Sequence, residues 1–184
     1  MNLSIILVIF CSIFALSAAQ VDEKRIAIEG TVFSVKVPSG FVLNNSVYTD
    51  SPSIHFSLPK RLTGDTPGYP SLSVMRVKPT REPDSQEAYV KKLESNRNAK
   101  IFLMRSDVLI LGQDAVEIGV EWTTIFSLAD GADASAQTTR HEIIFHYQGH
   151  YYICALEAYP EIHERWVGSL RELCDGVRQD KSQN

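Results

Sequence analysis

Four side chains that commonly bind metal ions, His141, Glu142, His146 and His150, lie within a single stretch of ten residues. Imidazole and carboxylate groups are zinc ligands, but their donor atoms must all lie about 2 Å from the ion. The hairpin predicted for this stretch places His146 and His150 on opposite faces. It also separates Glu142 from His146 by about 13 Å along one strand. We therefore predict no metal site and interpret these histidines as surface and loop residues.

Acidic pairs and sequence motifs do not define a catalytic centre either. Glu117 and Glu121 share one face of a predicted strand and could act as an acid–base pair only within a cleft. We interpret them as part of a solvated face. The sequence contains no G-x-S-x-G elbow, P-loop or G-x-G-x-x-G motif. His163-Glu164 lacks the second histidine of a zinc-protease helix. We predict no catalytic residue, no cofactor and no enzymatic activity.

Aromatic and imidazole side chains gather at the tip of the same hairpin. His146, Tyr147, His150 and Tyr151 surround the Gln148-Gly149 turn, and Tyr152 follows them. Tyrosine is enriched at protein interfaces because it combines apolar area with a hydroxyl group. The first four residues are therefore a candidate partner surface. The alternative is that they pack locally against neighbouring strands.

The composition indicates one globular domain. The chain has 184 residues, of which 44% are hydrophobic and 22% are charged. The formal net charge is -4, and no basic patch is evident. Because phosphate backbones repel an acidic protein, we do not predict a nucleic-acid partner.

Residues 1–19 are typical of a cleaved export signal. They contain no charged side chain, and residues 5–16 form an apolar core that is short for a membrane span. Small residues at Ser17 and Ala19 predict cleavage before Gln20. The alternative is an uncleaved anchor that continues to Val21. We expect a periplasmic or secreted protein with no stable membrane span after cleavage.

After cleavage two cysteines remain, Cys154 and Cys174. An even number of cysteines in an exported protein indicates a disulfide bond. The strand from Cys154 to Pro160 spans about 20 Å, and a helix from Pro160 to Cys174 returns over about 21 Å. We therefore predict that the two sulfurs lie level and form a bond. The alternative is two reduced, buried cysteines that act as small apolar residues.

The patterns predict an α+β domain over residues 20–178 with a polar tail at 179–184. Alternating or apolar runs predict strands at 26–37, 53–58, 72–77, 101–109, 115–123, 138–147 and 150–158, and a loop at 129–137. Asp84 is predicted to cap a first helix that ends near Asn96, with Glu87 completing a capping box. Pro160 begins a second helix that ends near Gly176.

The last two strands are predicted to pair through a two-residue turn. This register places Tyr147 opposite His150 and Arg140 opposite Glu157. One face then carries the apolar residues Ile143, Phe145, Tyr152, Cys154 and Leu156.

Three stretches resemble the PsbP-like superfamily of α-β-α sandwiches, which includes DcrB-like exported proteins and a Ran-binding nuclear transport factor. They are Phe33–Phe41 with its Pro-x-Gly turn, the paired strands through Leu111–Ala115, and the closing hairpin and helix from Tyr151 to Val177. The resemblance implies an antiparallel sheet flanked by two main helices. It also implies an accessory or binding role rather than catalysis.

The leading functional hypothesis is an exported, non-enzymatic accessory or binding protein that acts through a protein or envelope partner. One alternative is a small-molecule or metal binder with a cleft over the sheet. Another is an unrecognised hydrolase that uses carboxylates.

Overall fold

The computed structural model describes residues 25–28, 30–45, 51–59, 70–127 and 133–179. The predicted export signal at residues 1–19 lies outside these ranges, as do residues 180–184. Among the described residues, no helix is both long enough and apolar enough to cross a membrane.

The described residues form ten strands, two α-helices and one short 3-10 turn. The strands are β1 (Arg25–Ala27), β2 (Phe33–Lys36), β3 (Val42–Leu43), β4 (Ser53–Ser57), β5 (Ser71–Arg76), β6 (Ala99–Ile110), β7 (Gln113–Ser127), β8 (Asp133–Tyr147), β9 (His150–Ala158) and β10 (Arg178–Gln179). The 3-10 turn is Pro79–Arg81, and the helices are α1 (Gln86–Glu94) and α2 (Pro160–Asp175).

Seven strands make one large sheet in the order β3-β4-β5-β9-β8-β7-β6, and every neighbouring pair is antiparallel. A small sheet of order β1-β2-β10 is separate from it. The prediction of an α+β fold with an antiparallel sheet and two main helices is therefore confirmed. The predicted hairpin register is also confirmed, with Tyr147 opposite His150 and Arg140 opposite Glu157.

Each face of the large sheet has its own apolar core. On one face, α2 and the small sheet pack over the larger core, which includes Phe33, Phe145 and Leu170. On the other face, α1 packs over a smaller core that includes Val90 and Ile118. The molecule thus has three layers with the large sheet in the middle.

Three local predictions are wrong. Ser85, rather than Asp84, caps α1, because its side chain accepts from the Ala88 N–H. Residues 133–137, predicted as loop, are the first part of β8, because a long partner strand extends the ladder. Gln179, predicted in the polar tail, pairs with Phe33 in β10.

Candidate functional site

A cleft of about 480 Å³ opens between α1, the 3-10 turn that precedes it and the sheet face beneath. Charged side chains of both signs line it: Arg81, Glu82, Asp84, Lys92, Arg140 and Glu142. Tyr89 and Trp122 add aromatic surface. Its volume lies within the range of about 300–1,000 Å³ that is typical of ligand sites.

The floor of the cleft contains a chain of polar groups joined by a hydrogen bond and by ion pairs. The Tyr89 hydroxyl donates to Glu142 Oε2 at 2.5 Å, and Arg140 Nε pairs with Glu142 Oε1. Arg140 Nη1 then reaches Glu157 Oε1 at 3.1 Å. Burial, and to a smaller extent the negative charge of Glu142, raises the pKa of Tyr89. The Tyr89 hydroxyl therefore remains a donor near neutral pH.

Strand alternation explains why these charges face the cleft. Along β8, Arg140 and Glu142 lie on the α1 side, whereas Ile143 and Phe145 lie in the larger core on the α2 side. Ile144 continues the α1 side and belongs to the smaller core. Because α1 has only nine residues, it leaves Arg140 partly exposed at the cleft, whereas Glu142 stays buried.

A second ionisable cluster lies on the opposite face of the sheet, beneath α2. Glu117, His141 and His163 are 2%, 2% and 3% exposed. His141 Nε2 is 2.8 Å from Glu117 Oε1, and His141 Nδ1 is 3.2 Å from His163 Nε2. Arg171 donates to Glu117 Oε1 at 3.2 Å, and Arg105 Nη1 lies 3.6 Å from Glu117 Oε2.

This cluster corrects two expectations from the sequence. Glu117 was expected on a solvated face, and His141 was expected at the surface, but both are buried because α2 covers this side of β7 and β8. Burial lowers the pKa of His141, although Glu117 opposes that effect, and burial likewise lowers the pKa of His163. Glu121 pairs instead with Lys100 at 3.3 Å and is partly exposed. The two acids therefore do not share a cleft.

Gly119 makes room for an aromatic ring above the cluster. A Cβ at this position would lie 2.5 Å from Phe102 Cζ, so only glycine lets the ring rest on β7. The Phe102 ring meets His163 edge-on at a centroid distance of 5.6 Å. Phe102 is nevertheless 42% exposed, so one side of it forms molecular surface.

The residues predicted as a partner surface divide between the two faces of the hairpin. His146 is exposed, and the centroid of its ring lies 4.9 Å from that of the Tyr151 ring. Tyr147 lies on the opposite face, where its ring packs on the Phe33 ring with a centroid distance of 5.1 Å. The predicted separation of His146 from His150 is consistent with their positions in the strand register.

His150 is held by charged neighbours rather than presented alone. Its Nδ1 is 3.2 Å from Glu82 Oε1, and Arg76 Nη2 approaches its ring nitrogens at 2.9 and 3.0 Å. The four predicted residues thus do not form one continuous patch, and their role in partner binding stays a prediction.

The predicted disulfide bond is wrong for this structure. Cys154 and Cys174 are both free and buried. The return of α2 along β9 does bring the two thiols together. Burial, and to a smaller extent the neighbouring Cys154 thiol, raises the pKa of Cys174 well above its usual value. The alternative interpretation, two reduced cysteines in the core, describes the structure.

Among the described residues, no group of three or more His, Cys, Asp or Glu side chains could hold a metal ion. Neither the role of Tyr89 nor the burial of His163 was predicted from the sequence. A signal for His163 was present, because it lies three and seven residues before Trp166 and Leu170 on the apolar stripe of the last helix.

Comparison with known proteins identifies the fold. The Ran-binding protein Mog1p of Saccharomyces cerevisiae matches with a TM-score of 0.57 and 11% identity, over 86% of this chain and 96% of Mog1p. The PsbP protein CyanoP of Synechocystis matches with a TM-score of 0.52 and 9% identity, over 85% of this chain and 91% of CyanoP. A scan against protein-family models and a search of curated proteins found no match. The chain therefore has the PsbP-like fold that its sequence resembles.

Proposed function

We propose that this chain is an exported, non-enzymatic accessory protein that binds a protein or envelope partner through the cleft beside α1. The observation that carries the proposal is the fixed polar floor, in which Tyr89, Arg140 and Glu142 hold one another in place. Groups that are already ordered lose little conformational entropy on binding, which favours affinity. Support for a binding role also comes from Mog1p, a Ran-binding protein of the same fold.

The rim of the cleft indicates a partner segment with charges of both signs. Arg81 and Lys92 lie near Glu82 and Asp84 on the lining. Such mixed rims orient a partner and exclude wrong partners more than they add raw affinity. Charge reversal at the rim should therefore weaken binding and change its dependence on salt.

Adjacent lysines on α1 provide a matched test. Lys92 lines the cleft, whereas Lys91 lines a different groove on the other side of the helix. A photo-crosslinking residue at position 92 would identify the partner in an envelope extract. Calorimetry with that purified partner should then show at least tenfold weaker binding for Lys92→Glu and little change for Lys91→Glu. Equal affinities for the two variants would contradict the proposal.

A second candidate function is small-molecule binding in the same cleft. The indole N–H of Trp122, which lines the cleft, is buried and has no hydrogen-bond partner within the described part of the chain. Buried donors are usually paired, so an acceptor on a bound compound would satisfy it after a small movement. Native mass spectrometry of protein purified from its host tests this candidate. A stoichiometric added mass that Trp122→Phe removes would support it, and unliganded protein would argue against it.

A further inference from the structure

The buried histidines beneath α2 meet end to end. Their ring planes differ by 22°, and the ring centres are 5.3 Å apart while the facing nitrogens are 3.2 Å apart. The centres are thus separated by about one ring width more than the nitrogens, as expected for nearly coplanar rings joined by an N–H···N hydrogen bond. This arrangement is a hydrogen bond, not a face-to-face stack.

The partners of the two rings assign their tautomers. A carboxylate only accepts hydrogen bonds, so His141 Nε2 donates to Glu117. In the neutral ring, His141 Nδ1 is then an acceptor, and His163 Nε2 must donate to it. This leaves His163 Nδ1 as an acceptor at the outer end of the chain, 3.6 Å from the exposed carboxylate of Glu164.

A first proton and a second proton have different effects on this chain. A first proton on His163 Nδ1 faces Glu164 and leaves the bond to His141 intact. A second proton on His141 Nδ1 replaces the acceptor by a donor, so two N–H groups oppose each other. The like charges of the two rings also repel in a buried site.

The surrounding charged groups do not remove this conflict. Arg105 from β6 and Arg171 from α2 both bind the Glu117 carboxylate, which reduces its ability to stabilise an added charge on His141. The buried thiol of Cys174 lies near the same carboxylate and is uncharged. The exposed Glu164 acts only on the outer ring.

The position of His163 on α2 determines what its release would change. It is the buried residue of the N-terminal half of the helix, whereas Leu170, Leu173 and Cys174 anchor the C-terminal half in the core. Because Ile162, Trp166 and Val167 are only partly buried against the larger core, loss of the His163 contact would loosen the first turns and leave the rest in place. The same movement would uncover the inner side of Phe102.

We propose that His141 and His163 form an acid-operated clasp between the sheet and the N-terminal half of α2, closed with at most one added proton and open with two. Burial lowers the pKa of both rings from 6.5. A group whose pKa is lower in the closed state than in the open state contributes stability that is fully present only above its open-state pKa. This stability decreases as the pH falls from about 6.5 toward the lowered values.

Hydrogen exchange of backbone amides tests the clasp on the folded protein. After correction for the intrinsic exchange rate, residues 163–167, whose amides make the first intrahelical hydrogen bonds, should lose at least tenfold protection between pH 7.5 and pH 4.5. Residues 170–177 should keep theirs. Simultaneous loss in both halves would indicate global unfolding and overturn the proposal.

Glutamine at position 163 separates proton uptake from packing. His163→Gln keeps an N–H donor for neutral His141, cannot gain a proton itself, and can turn its amide oxygen toward a protonated His141, so exchange in residues 163–167 should depend much less on pH. His146→Gln, which removes an exposed histidine, should behave like the unmodified protein. An unchanged acid response in His163→Gln would overturn the proposal.

A measurement on the unmodified protein keeps the test valid if that variant does not fold. Nitrogen NMR of the imidazole rings should show both buried histidines as Nε2–H tautomers at pH 7.5, with titration midpoints below 6.5. Another tautomer or a midpoint at or above 6.5 would also overturn the proposal.

Discussion

The hydroxyl group of Tyr89 is predicted to be a major stabilising contact of the cleft floor. It donates to Glu142 at 2.5 Å, and Glu142 is only 3% exposed. Hydrogen bonds to charged groups contribute about 1.5–3 kcal/mol. In Tyr89→Phe the second carboxylate oxygen loses its donor, and little water can reach it. We therefore expect a loss of about 2 kcal/mol in the free energy of unfolding.

The assay is urea unfolding together with a thermal melt at pH 7.5. For a domain of this size, about 2 kcal/mol corresponds to a decrease in Tm of about 4–8 °C. Tyr147→Phe is the matched control, because that hydroxyl donates to Gln179 at the surface. We expect the control to change the stability by less than about 0.5 kcal/mol.

A double-mutant cycle with Glu142→Gln isolates the pair from other effects of each substitution. Residues in one hydrogen-bond network usually show coupling of about 0.5–3 kcal/mol. A coupling near zero, or an equal effect of the two tyrosine substitutions, would refute the assignment of Tyr89 as the donor that holds Glu142.

Two further predictions use paired substitutions with urea unfolding as the measurement. Ser85→Ala should lower the free energy of unfolding by about 1 kcal/mol because it removes the cap of α1. Asp84→Ala should change this free energy little. A larger loss in Asp84→Ala than in Ser85→Ala would contradict the observed cap. Gly119→Ala should lower the free energy of unfolding by about 1–3 kcal/mol because a Cβ there collides with the Phe102 ring. Gly168→Ala, in an open part of α2, should raise the free energy of unfolding by about 0.5–1 kcal/mol. If Gly119→Ala were stabilising instead, the Phe102 ring would not rest on β7.

Local signals explain which parts of the fold could be predicted. The β8–β9 hairpin was predicted in register because its turn and its alternating faces are encoded within about 20 neighbouring residues. The start of α2 at Pro160 was predicted because proline favours the first helical position. The cap of α1 was misplaced by one residue, since Asp84 and Ser85 are both good capping residues and only the backbone path selects between them.

The buried ionisable groups could not be predicted in the same way. Glu117 alternates with apolar residues in β7, which is also the pattern of a strand with one solvated face. Its burial depends on α2, which lies more than 40 residues later in the chain and covers the second face of the sheet. The cleft depends on α1 in the same way, because a short helix leaves the polar end of one face open.

The sequence by itself determined the α+β class, the strand pairing of the last hairpin and the approach of Cys154 to Cys174, because these follow from periodicity, turn residues and element lengths. Only the tertiary structure decided that Glu117, His141 and His163 form a buried chain and that Tyr89, Glu142 and Arg140 line a cleft. The physical reason is that the burial of a side chain depends on both of the surfaces that pack together. A strand specifies its two faces, but the elements that pack on each face decide which charges lose their water.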